Sequence, residues 1–359
     1  MGNRRRVAVA GIAIIVVLAV VVIVVRVHRS DRTDFSSAMD VVPSATLRFS
    51  FTDWAKVREA LHIKDQKSPS SKTVASLISR AYNADYSAVS SIDDSAVALQ
   101  KHFGFSPSTI QWEAYAQART GAAMVVRVPD SFDLSHVTSD LKGLGFTKPK
   151  SADGVWVGGT DLIASIDPDN PTISPELQYV AVLADKHLIV SSDQESYART
   201  AAAVADGKGK SLGDLSEARG AVDPLAEPAA AMFWSRDFVC TDLAMSQASD
   251  DDQTTARQLM ASAGETTPLT GFVLALAPDR TLNVSELFES GIEAKENLRA
   301  RARLAVGDAP GRGGSFSDDL KLVTSRTDGP TVQLVMKPRT KTGYVISALD
   351  SGPLLFATC

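Results

Sequence analysis

Nineteen consecutive positions, Val7 to Val25, carry no polar side chain (VAVAGIAIIVVLAVVVIVV). At ~1.5 Å per residue a helix of that length is roughly 28 Å long, close to the ~30 Å hydrocarbon core of a bilayer. Val and Ile favour strands in water, but in lipid each N–H and C=O must be satisfied inside the segment, which selects helix. The run is longer than the apolar region of a cleavable signal and ends in Val-Val-Arg26-Val-His28-Arg29, not in small residues. It therefore predicts an uncleaved signal-anchor. Beyond it the pattern predicts a juxtamembrane linker over 28–42, where charged and polar residues show no apolar period.

From Thr46 to Phe51 the chain alternates as a strand, with Leu47, Phe49 and Phe51 on one face. Thr52-Asp53 caps a helix to Leu61, Thr73 to Tyr82 is amphipathic, and Asp93-Asp94 opens a third helix stopped by Gly104. Gly121 to Val128 reads as an apolar strand, and Leu134 to Leu144 as a helix ended by Gly145. Val155–Val157 with Leu162–Ile166, and Tyr179–Leu183 with His187–Val190, read as two hairpins. Helices follow from Ser192-Asp193 through Val204 and over Leu212 to Ala221. The pattern then restarts: strand Ala230–Trp234, a helix from Asp237, helix Asp251–Ala263, strands Phe272–Leu276 and Leu282–Phe288, and the charged helix Ile292–Leu304. Strands Leu320–Val323 and Val332–Met336 and a short helix Val345–Leu349 close it.

Pro43…Phe49-Ser50-Phe51-Thr52-Asp53-Trp54 and Pro228…Phe233-Trp234-Ser235-Arg236-Asp237-Phe238 open the two stretches alike. The predicted fold is α+β: a transmembrane helix plus two related halves, each an antiparallel sheet with helices packed on one face. The segments are a basic cytoplasmic head (1–6), an anchor (7–27), the linker (28–42), a first half (43–225) and a second half (226–359). Arg4, Arg5 and Arg6 precede the anchor. Arg26, Arg29 and Arg32 follow it, offset in part by Asp31 and Asp34. The positive-inside balance is nearly even. A short basic head before a long downstream domain favours a cytoplasmic N-terminus and an extracytoplasmic domain in a single-pass plasma-membrane protein.

Net charge is −5, and the three arginines of the head lie outside the domain, which is thus more acidic still. Without a Lys/Arg stripe and interleaved aromatics, nucleic acid is not an expected partner. There are two cysteines, Cys240 and Cys359, the second being the last residue. An even pair in an oxidising compartment predicts one disulfide.

No motif in the chain carries chemistry. Gly209-Lys210-Ser211 lacks the glycine five residues earlier and the preceding strand of a phosphate loop. Gly311-Arg312-Gly313-Gly314 is no dinucleotide fingerprint. Asp167-Pro168-Asp169-Asn170 reads as a turn and Asp250-Asp251-Asp252 as a helix start, since neither spaces its ligands as a calcium loop does. His62, His102, His136 and His187 have no metal-ligand spacing. No catalytic, cofactor-binding or metal-ligating residue is therefore named and no cofactor is expected. Trp54, Trp112, Trp156 and Trp234 read as core.

The run His102-Phe103-Gly104-Phe105-Ser106-Pro107, the stretch Trp112-Glu113-Ala114-Tyr115-Ala116-Gln117, Gly121 with the strand to Val128, Leu144-Gly145-Phe146 and Gly154-Val155-Trp156 form a recognisable set. With the anchor and the Val42-Pro43 start, it resembles conserved membrane-anchored hypothetical proteins of actinobacteria, over about residues 1–240. The resemblance implies an envelope location and no activity.

The leading expectation is a non-enzymatic accessory or scaffold protein of the cell envelope, partnered by the membrane and an envelope protein. One alternative is a module binding a lipid or other apolar ligand between the halves, in a pocket of roughly 300 Å³ or more. The other is a hydrolase whose dispersed triad brings one of the four histidines to a hydroxyl and a carboxylate.

Overall fold

The computed structural model describes residues 32–168, 172–264 and 266–359. The anchor at 7–27 and the basic head lie outside the described residues. No described helix is long and apolar enough to cross a membrane.

The strands are β1 (Arg48–Asp53), β2 (Trp112–Ala118), β3 (Gly121–Arg127), β4 (Val155–Val157), β5 (Tyr179–Leu183), β6 (Leu188–Ser192), β7 (Ala230–Ser235), β8 (Gly271–Leu276), β9 (Leu282–Leu287), β10 (Leu320–Asp328) and β11 (Thr331–Pro338). The α-helices used below are α1 (Asp34–Ala38), α2 (Trp54–Ala60), α3 (Ser71–Asn83), α4 (Ala96–His102), α5 (Leu134–Leu144), α6 (Thr160–Ile166), α7 (Glu195–Ala205), α8 (Ser216–Val222), α9 (Asp250–Ala263), α10 (Gly291–Leu304) and α11 (Phe316–Asp319). The fold is α+β, with one large antiparallel sheet in the order β10-β11-β9-β8-β7-β1-β2-β3-β6-β5-β4.

That order splits between β1 and β7. On one side β1, β2 and β3 run as neighbours and β6 returns beside β3. On the other β7, β8 and β9 run as neighbours and β11 returns beside β9. The two opening strands pair antiparallel, Phe49 opposite Phe233 and Phe51 opposite Ala231. The expected two sheets are therefore one.

Helices on a single face is also corrected. On one face Met124, Val126, Ile189, Met232, Leu274, Val284 and Leu334 pack beneath α2–α6 and α9–α11. On the other Phe49, Phe51, Val125, Val190, Phe233 and Val273 pack beneath α1, α7 and α8. Strands buried on both sides read as unbroken apolar runs. β8 (GFVLAL) is such a run, buried at all its positions.

Part of the expected linker is core. Thr33 caps α1 by accepting from the Ser36 N–H, and Phe35 packs its ring on Phe49 and Phe51. Phe35, Ala38, Met39 and Val42 are all fully buried. They are spaced i, i+3, i+4, i+7, a helical stripe that the neighbouring charges obscure.

Leu162–Ile166 is helix α6 and not a strand. Gly159, at φ +77°, turns the chain into it, and β4 pairs with β5 instead. β2 escaped the apolar pattern because, after Trp112, its buried positions hold Glu113, Ala114 and Ala116. Val345–Leu349 is no helix: the Asp85 carboxylate accepts from the backbone N–H groups of Val345 (2.5 Å), Ile346 (2.6 Å) and Ser347 (3.2 Å).

Candidate functional site

The expected pair Cys240 and Cys359 forms a disulfide, with Cα atoms 5.6 Å apart. The same tail is held by Arg301 of α10, which is fully buried. Its guanidinium donates to the carbonyls of Phe356 (2.9 Å), Thr358 (2.9 Å) and Thr267 (2.6 Å) and lies over the Phe288 ring. Glu286 of β9, also fully buried, faces it with no hydrogen bond among the described residues. Burial raises the Glu286 carboxyl and lowers the Arg301 guanidinium, each charge partly offsetting the other's shift.

Where the halves meet, the pleat of β1 and β2 turns Ser50, Glu113 and Tyr115 toward the face that α2–α6 cover. Glu113 stands opposite Thr52 and is 2 % exposed. It accepts from the Ser91 N–H at 3.2 Å. Among the described residues its second oxygen, and the buried hydroxyls of Thr52 and Ser91, have no well-formed hydrogen bond. Burial pushes the Glu113 carboxyl up to about 8, against the lowering pull of Ser90 and of the Ser91 N–H. Beside this cluster a cavity of about 230 Å³ is lined by Arg48, Ser50, Ser90, Ser91, Tyr115 and Asp350. A neighbouring one of about 270 Å³ is lined by Arg48, Trp234, Thr241, Asp242 and Asp350. Both are smaller and more polar than the expected apolar pocket between the halves.

The sign of the Glu113 effect on stability follows from its proton. In the unfolded chain this carboxyl ionises near 4.5, and in the folded chain near 8. Between those values the folded state holds a proton that the unfolded state has lost. Stability therefore falls as pH rises through that window, by at most about 1.4 kcal/mol per pH unit for this one group. Glu113→Gln keeps the shape and removes the titration. Thermal midpoints measured from pH 5 to 8 are expected to slope less in Glu113→Gln than in the wild type, with the variant the more stable at pH 8. Identical slopes would remove Glu113 from this account.

A groove of about 640 Å³ lies at the outer edge of the first half. Leu134, Trp156 and Val182 line its floor, and Lys142, Lys148 and Lys150 its rim, with the hydroxyls of Ser135, Thr138 and Ser139 on α5. All four tryptophans, Trp54, Trp112, Trp156 and Trp234, are buried as expected.

Among the described residues the four histidines build no triad. His102 Nε2 lies 3.3 Å from Asp167, His136 is 3.6 Å from Asp133, and His187 is 4.0 Å from Asp130. None of them hydrogen-bonds a hydroxyl among the described residues. The acidic run at Asp250 opens α9, capped by Ser249, as expected of a helix start. Lys210 gives its carbonyl to the Ser44 N–H, and Ser211 caps a 3-10 turn over Leu212–Asp214, so no phosphate loop forms there.

One set of carboxylates was invisible in the sequence. Asp34, Asp53 and Glu227 come from three distant segments, and one oxygen of each lies within 4.8 Å of the others. Asp53 alone was legible, as the cap of α2. Its burial depends on β7 arriving beside β1, where the Asp53 N–H donates to the Ala229 carbonyl.

No protein-family model matches the sequence, and no curated protein is significantly similar to it. Two solved structures, crystal forms I and III of TP0453, align with TM-scores of 0.38 and 0.40 at 8 % identity. The alignments cover 84 % and 87 % of this chain and 93 % and 96 % of theirs. Likeness at that level carries no inference about this chain.

Proposed function

We propose that the protein is a non-enzymatic accessory or scaffold protein of the cell envelope. It is a single-pass membrane protein held by residues 7–27, with its two related halves outside the cytoplasm. The observation that supports this reading is the Cys240–Cys359 disulfide, because structural disulfides persist in oxidising compartments and are rare in the cytosol. It agrees with the orientation preferred from the basic head. A surface suited to a partner is the exposed pair Tyr82 and Tyr344, whose rings meet edge to face with centroids 6.2 Å apart and whose hydroxyls are 3.3 Å apart. Aromatic side chains of this kind are enriched where proteins dock.

Cross-linking the full-length protein in its own cells, purifying it in detergent and identifying what accompanies it by mass spectrometry tests the reading. A stoichiometric envelope protein, lost when Tyr82 and Tyr344 are both changed to Ser, is the expected result. Cysteines that react with maleimide in intact cells without reductant would place the domain in the wrong compartment.

The edge groove favours a second reading, a module for an anionic amphiphile: apolar floor for a tail, three lysines for a headgroup. Lys148→Glu with Lys150→Glu is expected to weaken binding of an anionic lipid at least tenfold and to leave the thermal midpoint unchanged. Native mass spectrometry of the full chain with phosphatidylglycerol checks it; equal lipid occupancy in both proteins would eliminate the groove.

A further inference from the structure

The three carboxylates of Asp34, Asp53 and Glu227 are close enough to share one ion. A calcium ion holds its oxygens at about 2.3–2.6 Å, so ligands on one ion stand at most about 5 Å apart. The three oxygens here fall inside that span, within 4.8 Å of one another. Asp34 opens α1, Asp53 joins β1 to α2, and Glu227 sits in the loop before β7.

Two of the three already have structural work. Glu227 accepts from the Asp34 N–H (2.8 and 2.9 Å) and the Phe35 N–H (3.3 Å), and so holds the first turn of α1. Asp53 Oδ1 accepts from the Lys56 N–H at 2.8 Å and caps α2. Capping leaves Asp53 Oδ2 unexplained. The residue is only 1 % exposed, and that oxygen is buried with no hydrogen-bond partner among the described residues. A buried carboxylate oxygen without a donor is costly, the more so beside two other acids.

The positive charges that reach the cluster are engaged elsewhere. Lys56 pairs with Glu59 at 3.2 Å, and Arg127 with Asp130 at 2.8 Å. Burial raises all three carboxyls, Asp53 up to about 7, and each acid near Asp53 adds to its rise.

We propose that Asp34, Asp53 and Glu227 form a divalent-cation site, of calcium type, that clamps α1 to the corner between β1 and α2. All the ligands are hard oxygens, which suits calcium or magnesium and not a softer metal. Asp34 is exposed, so water completes the coordination on that side, and calcium tolerates such an irregular, partly hydrated shell better than magnesium does. Three carboxylates with an open side place the affinity near that of extracellular calcium modules, at about 0.1–1 mM. The site does not depend on the envelope reading. α1 is, however, the described element nearest in sequence to the apolar run, so an ion there fixes the body of the protein to the segment that leads to it.

Terbium titration of the full-length chain in detergent tests this, because Trp54 adjoins Asp53 and can sensitise the ion. Saturable terbium emission displaced by calcium is expected, together with a thermal midpoint at pH 7.5 that rises with calcium. Asp34→Asn replaces one carboxylate by a neutral amide and leaves both caps in place; Asp53→Asn does the same while keeping a side-chain oxygen for the α2 cap. Each is expected to weaken binding at least tenfold and to abolish the calcium-dependent rise. Asp251→Asn, in the unrelated acidic run, is expected to change neither. A wild-type midpoint that ignores calcium would mean that Asp53 simply keeps its proton, and that result overturns the site. Terbium emission undiminished in both Asp34→Asn and Asp53→Asn overturns it as well.

Discussion

Replacing both Cys240 and Cys359 by Ser is expected to lower the stability of the folded chain by about 4–5 kcal/mol. The bond joins positions 119 residues apart. In the chain-entropy account, opening a loop of that size returns to the unfolded ensemble a freedom worth about 4.7 kcal/mol at 25 °C. The measurement is urea unfolding of the oxidised protein, of the same protein under reductant, and of the double-serine variant. The last two are expected to agree with each other and to unfold at lower urea than the first, with a larger dependence on denaturant because their unfolded states are less compact. A double-serine variant as stable as the oxidised wild type would mean that the tail is held without the bond.

Arg301→Met is expected to cost about 3–5 kcal/mol, the range for removing one partner from a buried charged arrangement. The loss has two sources. The carbonyls of Phe356, Thr358 and Thr267 lose their donors inside the core, and Glu286 loses the positive charge that favours its ionised form. The second source can be removed separately. Arg301→Met with Glu286→Leu replaces the pair by apolar groups and is expected to recover part of the loss, leaving the cost of the three carbonyls. Because Arg301 and the disulfide restrain the same tail, their effects are expected not to add. A double-mutant cycle of Arg301→Met with the cysteine replacement is expected to give a coupling of 0.5 kcal/mol or more, of the order seen for residues sharing one structural unit. A coupling of zero would assign them to separate units.

Elements whose signals are local were legible. Asp133 caps α5 by accepting from the Ser135 N–H, and Gly145 ends it at φ +100°, the conformation that a helix stop of this kind requires. The hairpin of β5 and β6 was placed by two apolar runs around Asp185-Lys186. Failures came where a local signal competed with a neighbour's. The stripe Phe35, Ala38, Met39, Val42 stood among charges that read as linker. Leu162–Ile166 had a strand's composition but followed a glycine turn that aims it into a helix. β2 buries alanines at Ala114 and Ala116, which barely register as apolar on a pattern scale yet allow α1, α7 and their neighbours to approach the sheet closely.

The candidate sites lay further from reach. Nothing around Glu113 marks it as an acid walled off from water; that follows from Thr52 facing it across the sheet and from Ser91 closing over it. Asp34, Asp53 and Glu227 are separated by up to 193 residues, and only the packing of α1 against the β1–α2 corner collects them.

The sequence by itself determined the α+β class, most helices with their caps and stops, the restart of the pattern near residue 228 and the two cysteines available to pair. These depend on residues within one or two turns of each other, or on simple parity. The tertiary structure alone decided that β1 and β7 merge two sheets into one, that both faces are covered, that the cysteine Cα atoms meet at 5.6 Å and that acids end up without water. The physical reason is that strand pairing, burial and the solvation of a charge are set by whatever segment arrives on the other side, and the pattern along one segment does not name its visitor.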